Sequence, residues 1–167
     1  TPPLIRDLQT DMLKVLSKAA NSDEFERTIS SALEVADLYV RNLLDGKTPL
    51  EKLVITKRVS KNLGDYRQWN DSVAALKQLS CKGFDIQPGE VVEYVICDAG
   101  SYSASERVKV AQFLRGDESY DVYKYVEQVL RATADLLSPL GWDFVALQDR
   151  MRSKAAATSR LSARTHR

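Results

Sequence analysis

The stretch 53–96, LVITKRVSKNLGDYRQWNDSVAALKQLSCKGFDIQPGEVVEYVI, changes its apolar spacing twice, and few architectures accommodate that order. A short apolar run (Leu53, Val54, Ile55) leads into a basic loop holding Lys57, Arg58, Lys61 and Arg67 with one anion, Asp65. Val73, Ala74, Leu76 and Leu79 then recur at helical spacing, and Gly83 supplies the stop. Asn70, Asp71 and Ser72 all suit the N-cap of that helix. Pro88-Gly89 turns the chain into an alternating strand with Val92, Tyr94 and Ile96 on one face. Cations held between a strand and a helix N-terminus form a surface suited to phosphate, with Ser60 and Asn62 as neutral donors beside them. The plain alternative for a charge run is a solvated face.

Charge matters here through its placement. The net value of +1 selects no partner, but the loop carries +3. The segment from Asp149 onward, with Arg150, Arg152, Lys154, Arg160, Arg164 and Arg167, carries +5, which leaves the remaining body at −7. A chain of 167 residues suits one domain with a moderate core, or a lobe of a larger protein. Cys81 and Cys97 lack metal-ligand spacing and His166 is the single histidine, so reduced thiols and no structural zinc are expected. No apolar run is long enough to span a membrane and no signal peptide is seen, so a soluble intracellular protein without a membrane partner is expected.

Thr1-Pro2-Pro3 opens a helix whose stripe is Leu4, Leu8, Met12, Val15, Leu16 and Ala19. Asn21 and Ser22 break it and cap a second, carrying Phe25, Ile29, Leu33, Ala36, Val40 and Leu43 up to Gly46. The two are expected to form an antiparallel hairpin. Thr48-Pro49-Leu50-Glu51 reads as a capping box over one helical turn. Beyond it, Leu63 and Tyr66 are expected to anchor the basic loop inward; Trp69 is expected as a core anchor, with stacking on a sugar or base as the alternative. Segment 91–97 and segment 107–114, with Val108 and Val110 on one face, predict a small antiparallel β hairpin on a mainly α lobe. Gly116-Asp117-Glu118-Ser119 is read as the start of the longest helix, whose stripe runs from Val122 through Tyr125, Val126, Val129 and Leu130 to Leu137, ended by Pro139 and Gly141. The tail alternates cations with Ser, Ala and Thr, and Ala155 to Ala157 permit helix, but it has little apolar surface to fold alone.

The ordered set Ile55, Thr56, Lys57, Leu63, Tyr66, Val73, Ala74, Leu79, Gly83, Ile86, Gly89, Val92, Tyr94, Val95 and Ile96 resembles the thumb of family B DNA polymerases. Gln128, Leu130, Leu137 and Gly141 resemble that family's last thumb helix, and the N-terminal hairpin matches the two helices that lead from palm to thumb. An opening at Thr-Pro-Pro then suits a piece cut from a longer chain or a split subunit. The resemblance implies a division into 1–47, a helical hairpin joining palm to thumb; 48–147, the thumb core; and 148–167, a basic tail.

Two departures stand out. Asp71-Ser72 replaces the Pro-His that many members carry before the valine, so a histidine contact to phosphate is not carried over. Asp71 would instead compete with phosphate for the helix amides. Lys124 stands where the family often has tyrosine, so that tyrosine is not carried over either.

The family transfers nucleotides with paired palm aspartates that hold two metals. Neither its Asp-Thr-Asp turn nor the aspartate before Leu-Tyr-Pro occurs here, nor the Asp-x-Glu of the proofreading exonuclease. No catalytic residue and no metal ligand is therefore assigned in this segment, and Mg2+ is implied only for the whole polymerase. The implied partner is primer–template DNA, gripped through its backbone by Lys57, Arg58, Ser60, Lys61, Asn62 and Arg67, with Arg150, Arg152 and Lys154 as a second set. The remaining palm and fingers, in the same chain or as a split subunit, are implied too. The resemblance also admits a sliding clamp, although the clamp-binding motif that can follow the tail in archaeal members is not found. The implied place is cytoplasm or nucleoid, or the nucleus in a eukaryote. A non-catalytic helical interaction or assembly module is the reading from another class.

Overall fold

The computed structural model describes residues 1–165, with side chains through Arg160; His166 and Arg167 lie outside the described residues. In chain order the elements are α1 (Pro3–Leu16), α2 (Ser22–Leu44), α3 (Leu50–Leu53), β1 (Ile55–Arg58), α4 (Asp71–Cys81), β2 (Val91–Ile96), α5 (Ala104–Arg107), β3 (Val108–Val110), α6 (Val122–Leu137) and α7 (Phe144–Thr165). Contacts group them into two units. The first comprises Thr1–Arg6 and Leu43–Tyr125, and the second comprises Asp7–Asn42 and the chain from Val126.

The first unit is built on an antiparallel sheet of order β1-β2-β3. The expected hairpin of two strands thus gains a third, because Ile55 to Arg58 pair along β2 with Ile55 opposite Tyr94 and Arg58 opposite Val91. Lys57 and Arg58 therefore stand on an edge strand rather than in a loop. At the far end the ladder is closed by the turn Gln87-Pro88-Gly89-Glu90, where Gly89 takes φ 99° and its amide donates to the Val59 carbonyl at 2.8 Å. Only glycine reaches that φ without strain.

β3 is shorter than the expected 107–114. Both Cys97 and Asp98 donate to the Arg107 carbonyl at 2.9 and 3.2 Å, which ends the ladder, while Ala111–Phe113 curl into a 3-10 turn. Gln78 of α4 then covers the free edge of β3. Its amide nitrogen donates to the Val108 carbonyl at 3.2 Å and its oxygen accepts from the Val110 amide at 2.9 Å, as a neighbouring strand would. The core between α4 and the sheet is made by Val73, Leu76, Leu79, Val92, Tyr94 and Val110, all buried.

Local signals set α4. The Asn70 side chain accepts from the Val73 amide at 3.0 Å, and Gly83 at φ 84° closes the C-terminus with Phe84 donating to the Leu79 carbonyl at 3.1 Å. The box at Thr48 forms differently: the N-cap position of α3 is Pro49, and Thr48 is buried.

α6 begins later than the sequence predicts. Its cap is Asp121, whose carboxylate accepts from the Lys124 amide and the Ala99 amide, each at 2.9 Å. Glu118 instead closes a turn on the Arg115 and Gly116 amides at 2.6 and 2.9 Å. At 16 residues α6 is not the longest helix; α2 has 23 and α7 has 22.

In the second unit, α1 and α2 form the predicted hairpin, tied by the Tyr39 hydroxyl donating to Asp11 at 2.8 Å. Asn21 caps α2 by accepting from the Glu24 amide at 2.9 Å, and Glu24 reaches back to the Ala20 amide at 2.8 Å. Leu8, Met12, Val129 and Leu137 are fully buried there. α7 continues unbroken from Phe144, where the sequence suggested a segment unable to fold alone. The missing support is tertiary: Leu147 is buried, Arg131 of α6 lies 4.5 Å from the Phe144 ring, and Arg150 and Lys154 both bond the Asp37 carboxylate of α2.

Candidate nucleic-acid interface

Exposed cations line the edge strand of the first unit and the turn that follows it. Ile55 is buried at the start of β1, whereas Thr56, Lys57 and Arg58 are exposed. Thr56 donates to Glu93 across the ladder at 3.0 Å, and Arg58 donates to the Gly89 carbonyl at 2.8 Å, which holds that guanidinium over the Pro-Gly turn.

Tyr66 fixes the loop behind it. The tyrosine oxygen accepts from the Ser60 and Lys61 amides at 3.1 and 3.2 Å, and lies 3.4 Å from the Ser60 hydroxyl. These bonds, the one to the Ser60 side chain foremost, with the Lys61 charge nearby, lower the phenol below its ordinary range. Leu63 and Tyr66 are half-buried, as anchors of the loop should be. Between them a 3-10 turn, Leu63–Asp65, sets the Asp65 carboxylate 3.5 Å from the Asn62 amide nitrogen. Among the described residues no carboxylate pairs with Lys57, Lys61 or Arg67. The result is a short ridge of cations on a stiff base.

Two sequence expectations change at this site. Trp69 is 37% exposed and sits at the surface, with the Lys77 ammonium 5.4 Å from its ring, so it is not a core anchor. A loop of polar neighbours gives the indole no pocket to enter. Asp71 does not cover the amides of α4 either. Its carboxylate takes the Arg107 guanidinium at 2.7 Å, which leaves Asn70 as the cap.

The tail cations belong to the second unit. Arg150 and Lys154, one turn apart on α7, share Asp37, while the exposed Arg152 lies 3.6 Å from Asp149. Burial alone would raise the Asp37 carboxyl, but the hydrogen bonds and charges of Arg150 and Lys154 outweigh it and hold it below the ordinary carboxylate range. Sequence reasoning found the cations and missed their acidic partner, since Asp37 lies far away in the chain and carries no local mark. Arg107 was missed for the same reason.

Among the described residues no group of three or more His, Cys, Asp or Glu side chains converges to hold a metal ion. The Mg2+ implied by the resemblance thus finds no donor set here, and no step of nucleotide transfer follows from these residues. Cys81 and Cys97 are free thiols, with burial pushing Cys97 up. No helix among the described residues is long and apolar enough to cross a membrane.

The sequence profile described as DNA polymerase family B matches residues 2–140. The chain belongs to that family. Among its relatives, the DNA polymerase of Thermococcus aggregans is 29% identical over 141 residues, which make up 83% of this chain and 7% of that protein. The DNA polymerase of Thermococcus gorgonarius is 26% identical over 140 residues, or 83% of this chain and 17% of that protein. The structure of the family B DNA polymerase from the hyperthermophilic archaeon Pyrobaculum calidifontis superposes with a TM-score of 0.65 and 26% identity, covering 79% of this chain and 17% of that one. This family B chain thus spans less than a fifth of the length of the relatives it matches.

Proposed function

We propose that this chain is the thumb portion of a DNA-directed DNA polymerase and grips the primer–template duplex through its phosphate backbone. The observation that carries this is the ridge of Lys57, Arg58, Lys61 and Arg67, presented by an edge strand and a loop clasped by Tyr66. Ser60 and Asn62 add neutral donors, and Arg150, Arg152 and Lys154 form the weaker second set, two of them already holding Asp37. A polymerase must hold every sequence equally well, and contacts to phosphate meet that demand where base readout does not. In this reading 1–47 joins palm to thumb, 48–147 is the thumb core and 148–167 is the basic tail. Nucleotidyl transfer and its Mg2+ ions then belong to the remaining palm and fingers, and the protein resides with the cell's DNA. A sliding clamp is the further partner admitted by this reading.

Charge reversal tests it. Reversing Lys57, Arg58 and Lys61 should weaken duplex binding more than reversing Arg6 and Lys14 of α1 and Lys18 of the turn after it, all exposed. Equal losses from both sets, read by fluorescence anisotropy, would show that net charge and not the ridge carries the binding. Duplex affinity indifferent to salt would favour a helical assembly module instead.

A further inference from the structure

A second cationic surface lies on the other side of the same sheet. A cavity of about 770 Å³ opens between α4, α5 and β3. Lys77 reaches it from within α4, Lys82 from the residue that caps α4, Lys109 from β3, and Arg115 from the segment after β3. Among the described residues no carboxylate lines it. The nearby Glu118 is bound to the Arg115 and Gly116 amides, and Glu106 accepts from the Ser101 hydroxyl at 2.9 Å. β1 and β3 are the two outer strands of the sheet, so β2 separates this cluster from the ridge of Lys57 and Arg58.

Rings stand among the charges. Tyr102 lines the cavity and is 92% exposed, so its ring contributes nothing to packing. Phe113 lines it too, set 6.0 Å from Phe84, itself exposed. Trp69 carries the aromatic rim onward through its contact with Lys77.

Cations interleaved with open aromatic faces in a concave surface suit a strand whose bases are unstacked. Duplex DNA meets the cations but keeps its bases stacked, out of reach of Tyr102. An acidic peptide also meets the cations and leaves the ring idle. We propose that this cavity binds single-stranded DNA, with phosphates on Lys77, Lys82, Lys109 and Arg115 and a base stacked on Tyr102. The proposal goes beyond the thumb reading, which uses none of these residues.

The test is fluorescence anisotropy of labelled oligo(dT) with the full chain. Tyr102→Ala should weaken binding roughly 5- to 150-fold, the range found when a stacking ring is removed, while Tyr102→Phe keeps parent affinity. Lys82→Ala with Arg115→Ala should reduce the slope of log K against log salt by about 1.4, from roughly 0.7 per phosphate on a single strand. Both cations and Tyr102 are exposed, so the fold should survive, and circular dichroism checks it. Parent-like oligo(dT) binding by Tyr102→Ala would overturn the proposal. So would an unchanged salt slope in the double variant, or polyglutamate binding in place of oligo(dT). A parent chain that binds duplex but not oligo(dT) overturns this site and leaves the thumb reading standing. Oligo(dT) binding with the stated dependences but no duplex binding does the reverse.

Discussion

Tyr125 ties two segments of the first unit together through one buried atom. Its buried hydroxyl donates to the Leu53 carbonyl at 2.9 Å and accepts from the Ile96 amide at 3.0 Å, so one atom joins the end of α3 to the end of β2. Burial pushes this phenol up, and it stays protonated and able to donate across the physiological range. Tyr125→Phe keeps the ring and strands both backbone groups in an apolar setting. The expected loss is about 1–3 kcal/mol, the penalty for a buried group left unsatisfied, read from the urea midpoint at constant slope. An unchanged midpoint would mean that water replaces the hydroxyl. Burial of the tyrosine was legible in the stripe of α6; its two partners were not, because they lie 72 and 29 residues away.

α7 depends on a contact of that kind. Arg150 and Lys154 converge on Asp37, and the depressed carboxyl gives the contact a pH signature. A carboxylate held below its unfolded value contributes stability above that value, and the contribution disappears as pH falls through the folded one. The unfolded reference is 3.8, so the contribution should be present at neutral pH and fade below about pH 4. Asp37→Asn should therefore cost about 1–2 kcal/mol at neutral pH. That difference from the parent should shrink as the solution is acidified, while a gap that stayed constant with pH would remove Asp37 as the cause. Protease cleavage within α7 should rise in parallel.

For the whole chain, the expectation is a folded module that binds duplex DNA and adds no nucleotides. Metal-dependent primer extension by the purified chain, free of contaminating polymerase, would contradict the placing of catalysis elsewhere. Its binding should also report few phosphates. If the four ridge cations each neutralise one, log K against log salt should slope at about −3 to −4, from roughly −0.9 per contact. Lys57→Ala should flatten the slope by about one and should do so equally on unrelated duplex sequences. Engagement of Arg150, Arg152 and Lys154 would steepen the parent slope. A slope near zero would leave the ridge without a role.

What the residues alone settle lies within a few positions of itself. Gly83 as stop, Pro88-Gly89 as turn and the alternation of β2 are each decided by neighbours in the chain, and each is found where the pattern puts it, whereas the choice of Asn70 among three possible caps waits on Arg107 taking Asp71. Membership in the polymerase family is legible for a related reason, since its pattern is an ordered run of such local marks. The rest needs partners that only folding supplies. The strand read at Leu53 to Ile55 shifts to Ile55–Arg58, past its apolar residues, because β2 offers an unpaired edge there. α7 meets its support only in the fold, in the burial of Leu147, the stacking of Arg131 on Phe144 and the bonds of Arg150 and Lys154 to Asp37. The cationic cavity exists only because α4 packs beside β3, bringing Lys77 and Lys82 to Lys109 and Arg115. Charge at long separation has no periodicity to read, and its meaning is set by what the fold lays next to it.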